Sequence, residues 1–162
     1  MFKVGDYISH PMHGAGIIKK IEQRRINGEN KYYYVLGVST GSMTVMVPVD
    51  TCGAIGVRPI VDCETAQNVL EYIKDIQVDN DNVTANWNKR YRENMDRLKS
   101  GDLMLVASVI KGLIDREKAK GLSTGERKML RSAKQILISE ISIAMDTDTE
   151  TIETKLDSLL LS

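Results

Sequence analysis

The sequence predicts an α+β protein in two parts. A small, strongly bent sheet or open barrel spans residues 1–53, and an all-α bundle of about five helices spans residues 62–162. Two observations carry that prediction. In the first fifty residues, apolar side chains alternate with a period of two between closely spaced turn signals. From residue 62 the apolar period changes to three and four, in stretches of helical length bounded by capping residues.

Four short strands are expected. Val4–Ser9 leads into a Pro and Gly turn at His10-Pro11-Met12-His13-Gly14, and Ile17–Gln23 follows. Asn27-Gly28 is a hairpin signal, because a tight two-residue turn needs positive φ at both central positions. Tyr32–Val38 alternates strictly. After Ser39-Thr40-Gly41-Ser42, Met43–Val47 alternates again and Pro48 ends it. So small a sheet has little core of its own and needs something to pack on.

Five helices are expected after a join near Thr51–Asp62. The first opens at Asp62 and buries Ala66, Val69, Leu70, Ile73 and Ile76. An acidic, Asn-rich loop at Asp79–Asn82 precedes the second, which Ser100-Gly101-Asp102 ends. The third carries Leu103, Val106, Ile110, Leu113 and Ile114 and stops at Gly121. Ser123-Thr124-Gly125-Glu126 is a capping box for the long fourth helix, with Met129, Leu130, Ala133, Ile136, Leu137, Ile141 and Ala144 inside. Thr147-Asp148-Thr149-Glu150 is a second capping box, for a last helix with Ile152, Leu156, Leu159 and Leu160 inward.

The net charge of zero hides four blocks. Residues 1–61 carry seven cations against four anions, and residues 83–134 carry thirteen against six. Residues 62–82 and 135–162 each carry one cation against six anions. A basic block framed by acidic ones is a nucleic-acid footprint that an overall pI conceals, or else ordinary helix-surface charge. The longest apolar run, Leu103–Ala107, is far short of a membrane span, and no signal segment opens the chain, so no membrane partner and a cytoplasmic setting are expected.

Catalytic motifs are missing. The glycines are scattered singly, no GxSxG or HExxH occurs, and the carboxylates are expected mostly on helix exteriors as solvated charge. No catalytic residue, metal or cofactor is expected. Cys52 and Cys63, eleven residues apart, fit no zinc spacing and are read as small buried side chains. His10 and His13 have no acidic or thiol neighbour and are read as stabilising a turn.

The informative stretch is Asn86-Trp87-Asn88-Lys89-Arg90-Tyr91-Arg92. Asn86 is a good N-cap, and Trp87 then sits at the start of a helix with Tyr91, Met95 and Leu98 on its face. A large ring at the open end of an apolar stripe, flanked by Lys89, Arg90 and Arg92, suits DNA, with cations on phosphates and the ring against base steps. The competing reading is a tryptophan that caps a core beneath a solvated basic face.

These residues resemble the CarD/CdnL family of bacterial transcription regulators over nearly the whole chain. The carrying motifs are Phe2-Lys3-Val4-Gly5-Asp6, Pro11-Met12-His13-Gly14, Thr44-Val45-Met46-Val47-Pro48, Asn86–Tyr91, Ser100-Gly101-Asp102 and Gly121–Leu130. The first set also resembles the polymerase-interacting module of transcription-repair coupling factors. The resemblance implies a Tudor-like β domain that binds the RNA polymerase β subunit. It implies a helical domain that reaches promoter DNA at the upstream edge of the bubble, its tryptophan entering the minor groove with little or no sequence preference. Trp87 matches the wedge position, and Lys89 and Arg90 the basic residues after it, with Arg92 beside them. Arg24, with Arg25 next to it, matches a polymerase-contacting arginine. Met46 departs from the pattern, standing where family members can carry an arginine for that contact. The alternative of another class is a protein–protein adapter of the transcription machinery with no direct DNA contact. A sequence-specific DNA binder ranks last, because no helix aims Arg, Asn and Gln at base edges.

Overall fold

The computed structural model describes residues 1–38, 43–76 and 87–161. The expected turn at Ser39–Ser42, the Asp79–Asn82 loop and the Asn86 cap lie outside the described residues. The α+β architecture is present, with an antiparallel sheet followed by helices. Its strands are β1 (Tyr7–His10), β2 (Gly14–Ile26), β3 (Glu29–Val38), β4 (Thr44–Pro48) and β5 (Arg58–Pro59), in spatial order β4-β3-β2-β1-β5.

Two strand expectations need correcting. The strands are not all short, since β2 has 13 residues and β3 has 10. The Asn27-Gly28 turn sits at the far end of both, with φ of 53° and 81°. Beyond Gln23 and Tyr32, β2 and β3 pair only with each other among the described residues, so their tip projects as a two-stranded ribbon. Among the described residues there are five strands, because Arg58-Pro59 pairs with Ile8 and Ser9 of β1. The expected join is itself structured, holding β5 and a one-turn helix, α1 (Cys52–Ile55).

The sheet encloses a small core of Ile8, Ile18, Tyr34, Leu36, Val47 and Val57. Tyr34 is fully buried, and its hydroxyl accepts the Phe2 backbone N–H at 3.0 Å. At the other turn, His10 Nδ1 accepts the Met12 N–H at 3.1 Å, which gives the histidine its turn-stabilising role. Burial, with His13 beside it, holds the His10 pKa below the ordinary imidazole value.

The helices after the join are α2 (Cys63–Asp75), α3 (Trp87–Lys99), α4 (Leu103–Ala119), α5 (Thr124–Ala144) and α6 (Thr149–Leu161). The apolar periodicity names their inner faces well: Ala66, Val69, Leu70, Ile73, Val106, Ile110, Leu113, Met129, Ala133, Leu137, Ile152 and Leu156 are all in one core. Asp62 caps α2 by accepting the Thr65 N–H at 2.7 Å. The last cap falls one residue later than expected: Asp148, not Thr147, accepts from the first turn of α6, taking the Thr151 N–H at 2.7 Å. Thr147 instead donates its hydroxyl to Met145 O. Cys52 is half-buried, whereas Cys63 is exposed, because the first turn of α2 turns it away from the core.

Helix α5 carries the sheet. At the start of β2 the backbone lies on the helix, where Ala15 N–H donates to Ser139 Oγ at 2.9 Å. Gly14 is required there twice over. Its φ is +84°, and a Cβ would lie 2.5 Å from Ser139 Oγ. Gly14→Ala is expected to cost about 1–3 kcal/mol through backbone strain and overpacking. Thermal unfolding checks this, and an unchanged midpoint would mean the sheet can lift off α5 freely.

Glu140 is an exception to the expectation that the carboxylates lie mostly on helix exteriors. It is not on a helix exterior but has 0% exposure between bundle and sheet. Arg58 grips it with two prongs, Nη1–Oε2 at 2.6 Å and Nη2–Oε1 at 2.9 Å, and Val61 N–H donates to Oε2 at 2.9 Å. The Arg58 Nε–H donates to Gly101 O.

Candidate nucleic-acid interface

The first residue of α3 is Trp87, and the apolar stripe below it is as read from spacing. Leu98 is buried and Tyr91 and Met95 are packed against the bundle core. At the open end of that stripe Trp87 is 41% exposed. It is neither sealed in the core nor loose. Its ring stacks on Tyr91, with centroids 4.9 Å apart and planes 23° from parallel. Its Nε1–H donates to Ser123 Oγ at 2.9 Å.

Ser123 caps α5 as the sequence indicates. Its Oγ accepts the Glu126 N–H at 3.2 Å, while Glu126 Oε1 accepts the Ser123 N–H at 3.4 Å. The hydroxyl also donates to Glu126 Oε1 at 3.1 Å. Glu126 is a second buried exception among the carboxylates, only 3% exposed. Two arginines face it at ion-pair distance: Arg90 Nη2 is 3.8 Å from Oε1, and Arg116 Nε is 3.7 Å from Oε2. Trp87 and Ser123, 36 positions apart, thus meet at one spot, and no spacing in the chain announces that pairing or that of Arg116 with Glu126.

The three expected DNA-contacting cations separate. Lys89 and Arg92 are exposed. Arg90 is turned toward Glu126, its side chain 19% exposed. The first turn of α3 holds no acidic residue, so Lys89 and Arg90 face the positive end of the helix dipole. That placement is unfavourable by itself and is relieved by an anion, which Glu126 supplies to Arg90.

The expected polymerase-contacting residues lie on the sheet. Arg24 pairs in register with Lys31 and Arg25 with Asn30, both on the projecting ribbon. The Arg24 side chain is 54% exposed, 3.6 Å from Glu22. Met46 is exposed on edge strand β4, opposite Val35. Lys31 and Val35 lie on the same face of β3, so Arg24 and Met46 share a face, about 13 Å apart along the strand direction. Arg25 falls on the other face. Among the described residues, no three His, Cys, Asp or Glu side chains gather as metal ligands, and no helix is long and apolar enough to cross a membrane.

Two family models match the chain. Residues 2–61 match the family model described as the CarD-like/TRCF RID domain, and residues 68–157 match that of the CarD C-terminal domain. The chain is 36% identical over 143 residues to "Putative transcription factor YdeB" of Bacillus subtilis (strain 168), covering 88% of this chain and 92% of that one.

Proposed function

This chain belongs to the CarD-like family of transcription regulators, which carry an RNA polymerase-interacting domain, and from that premise we propose how its two parts act. The sheet (residues 1–53 with β5) binds the polymerase β subunit through the face and ribbon carrying Arg24 and Met46, with Arg25 on the flank. The helical part, residues 62–162, reaches promoter DNA at the upstream edge of the melted region. There Trp87 leans on a base step in the minor groove while Lys89 and Arg92 hold phosphates. Such a ring fills the gap left by unstacking and so favours the opened state.

The observation that carries this reading is the half-exposed indole beside two exposed cations. Magnitudes support a tethered mode of action. Two phosphate contacts give a salt slope of only about −1.8, which means weak binding to free DNA. Docking on polymerase raises the local concentration of duplex and makes that weak contact sufficient. The protein then works in the cytoplasm, at the nucleoid, wherever polymerase holds a promoter.

The adapter reading gains something from the same geometry, because a hydrogen-bonded, stacked indole also suits a purely structural tryptophan. Promoter footprinting with polymerase distinguishes the two. Added protection at the upstream edge of the bubble is expected, and its absence would leave the adapter. The chain's single tryptophan gives a second readout: acrylamide quenching is expected to fall when promoter complexes form.

Arg24→Glu is expected to weaken polymerase binding at least about tenfold, since reversing a contact charge costs more than 1.4 kcal/mol. An exposed ribbon position leaves the fold intact. Polymerase affinity of the purified variant, measured beside its circular dichroism, checks both statements, and unchanged affinity would remove Arg24 from the interface.

A further inference from the structure

We propose that Ser123 is a positioning residue for Trp87, locking the indole so that only carbon is offered to the duplex. The inference rests on the wedge reading of Trp87. Its basis is hydrogen-bond accounting at one oxygen. A serine hydroxyl has one proton to give and two lone pairs to fill. Here the lone pairs take the indole N–H and the Glu126 N–H, and the proton goes to Glu126 Oε1. Nothing is left over, so the oxygen cannot release the indole without an unmet demand of its own.

The anchor behind that oxygen is heavy. Glu126 is buried and faces Arg90 of α3 and Arg116 of α4, which ties three helices to the cap. Around the ring, two other contacts agree in direction. Tyr91 covers one face, and a Cβ at Gly125 would lie 3.3 Å from indole Cζ2. The edge bearing Nε1 and Cζ2 therefore lies against the start of α5. The opposite edge consists of carbon alone.

Two consequences follow for function. An indole whose only polar group is spent inside the protein cannot donate to a base edge, so the wedge reads no sequence through hydrogen bonds. A ring already held in one orientation also loses less freedom on binding, which is worth about 2- to 10-fold in affinity for one side chain.

Ser123→Gly and Ser123→Thr test the assignment. Glycine removes the hydroxyl yet costs a helix N-cap only a few tenths of a kcal/mol, and threonine restores the hydroxyl. The single indole N–H gives one proton resonance whose exchange and shift report the bond directly. In the parent and the Thr variant the proton is expected to be protected. In the Gly variant it should exchange faster and move upfield, and open complexes should decay about 2- to 10-fold faster, with polymerase affinity unchanged. A folded Gly variant with parental exchange and parental lifetime overturns the proposal. If Trp87→Ala shortens the lifetime but Ser123→Gly does not, positioning is refuted and the wedge stands. An unchanged lifetime in Trp87→Ala refutes the wedge, and the positioning role with it.

Discussion

Arg58→Ala is expected to destabilise the protein by about 3–5 kcal/mol, the cost of leaving a buried carboxylate without its countercharge. Ion pairs at a surface contribute roughly 0–1 kcal/mol, and the other ion pairs here with well-exposed partners, such as Arg127 with Glu117, belong in that range. The Arg58 pair differs because Glu140 has no solvent access and receives a two-pronged grip. Once the guanidinium is gone, Val61 N–H still donates to that carboxylate, but no countercharge from Arg58 is left and Gly101 O loses the Arg58 Nε–H as well. Replacing both charges, as in Arg58→Met with Glu140→Leu, is expected to cost much less than the single change, since no charge is then stranded. Urea unfolding of the two variants measures the difference. A single-variant loss under about 1 kcal/mol would show that the carboxylate reaches water, and that sheet and bundle are not locked together by this pair.

Trp87→Ala should act on function with little effect on the fold. The ring is at the open end of its stripe, so its removal leaves the core below Tyr91 in place. Stacking of one base on an aromatic side chain is worth about 1–3 kcal/mol, so competitor-challenged open complexes should decay roughly 5- to 150-fold faster. Trp87→Phe keeps a ring but loses the indole N–H to Ser123, and an intermediate lifetime is expected. Polymerase affinity should be the same for all three proteins, because the sheet is untouched. Equal lifetimes for parent and Ala variant would end the wedge reading and favour an adapter.

Much of the fold was legible because local rules agreed with one another. The Asn27-Gly28 pair demanded positive φ and adopts it. The stripe Ala66, Val69, Leu70, Ile73 had one possible inner face, and it is the buried one. What escaped was short or supplied by a distant element. Arg58-Pro59 is too brief to alternate, and becomes a strand only because β1 offers an edge. Ser139 and Glu140 lie off the apolar stripe of α5, which is all that the spacing marks as inward. They are buried because a second layer, the sheet, closes over the other side of the helix.

The site divides in the same way. The sequence alone determined that the chain's single tryptophan would head a helix among cations, since that is a matter of residue type and period. Only the tertiary structure decided which cations face outward and which way the ring turns. Those outcomes depend on partners brought in from α4 and α5. Arg90 is drawn to Glu126, and the indole N–H to Ser123, because a buried carboxylate and a half-buried donor must find partners wherever the packing of helices places them.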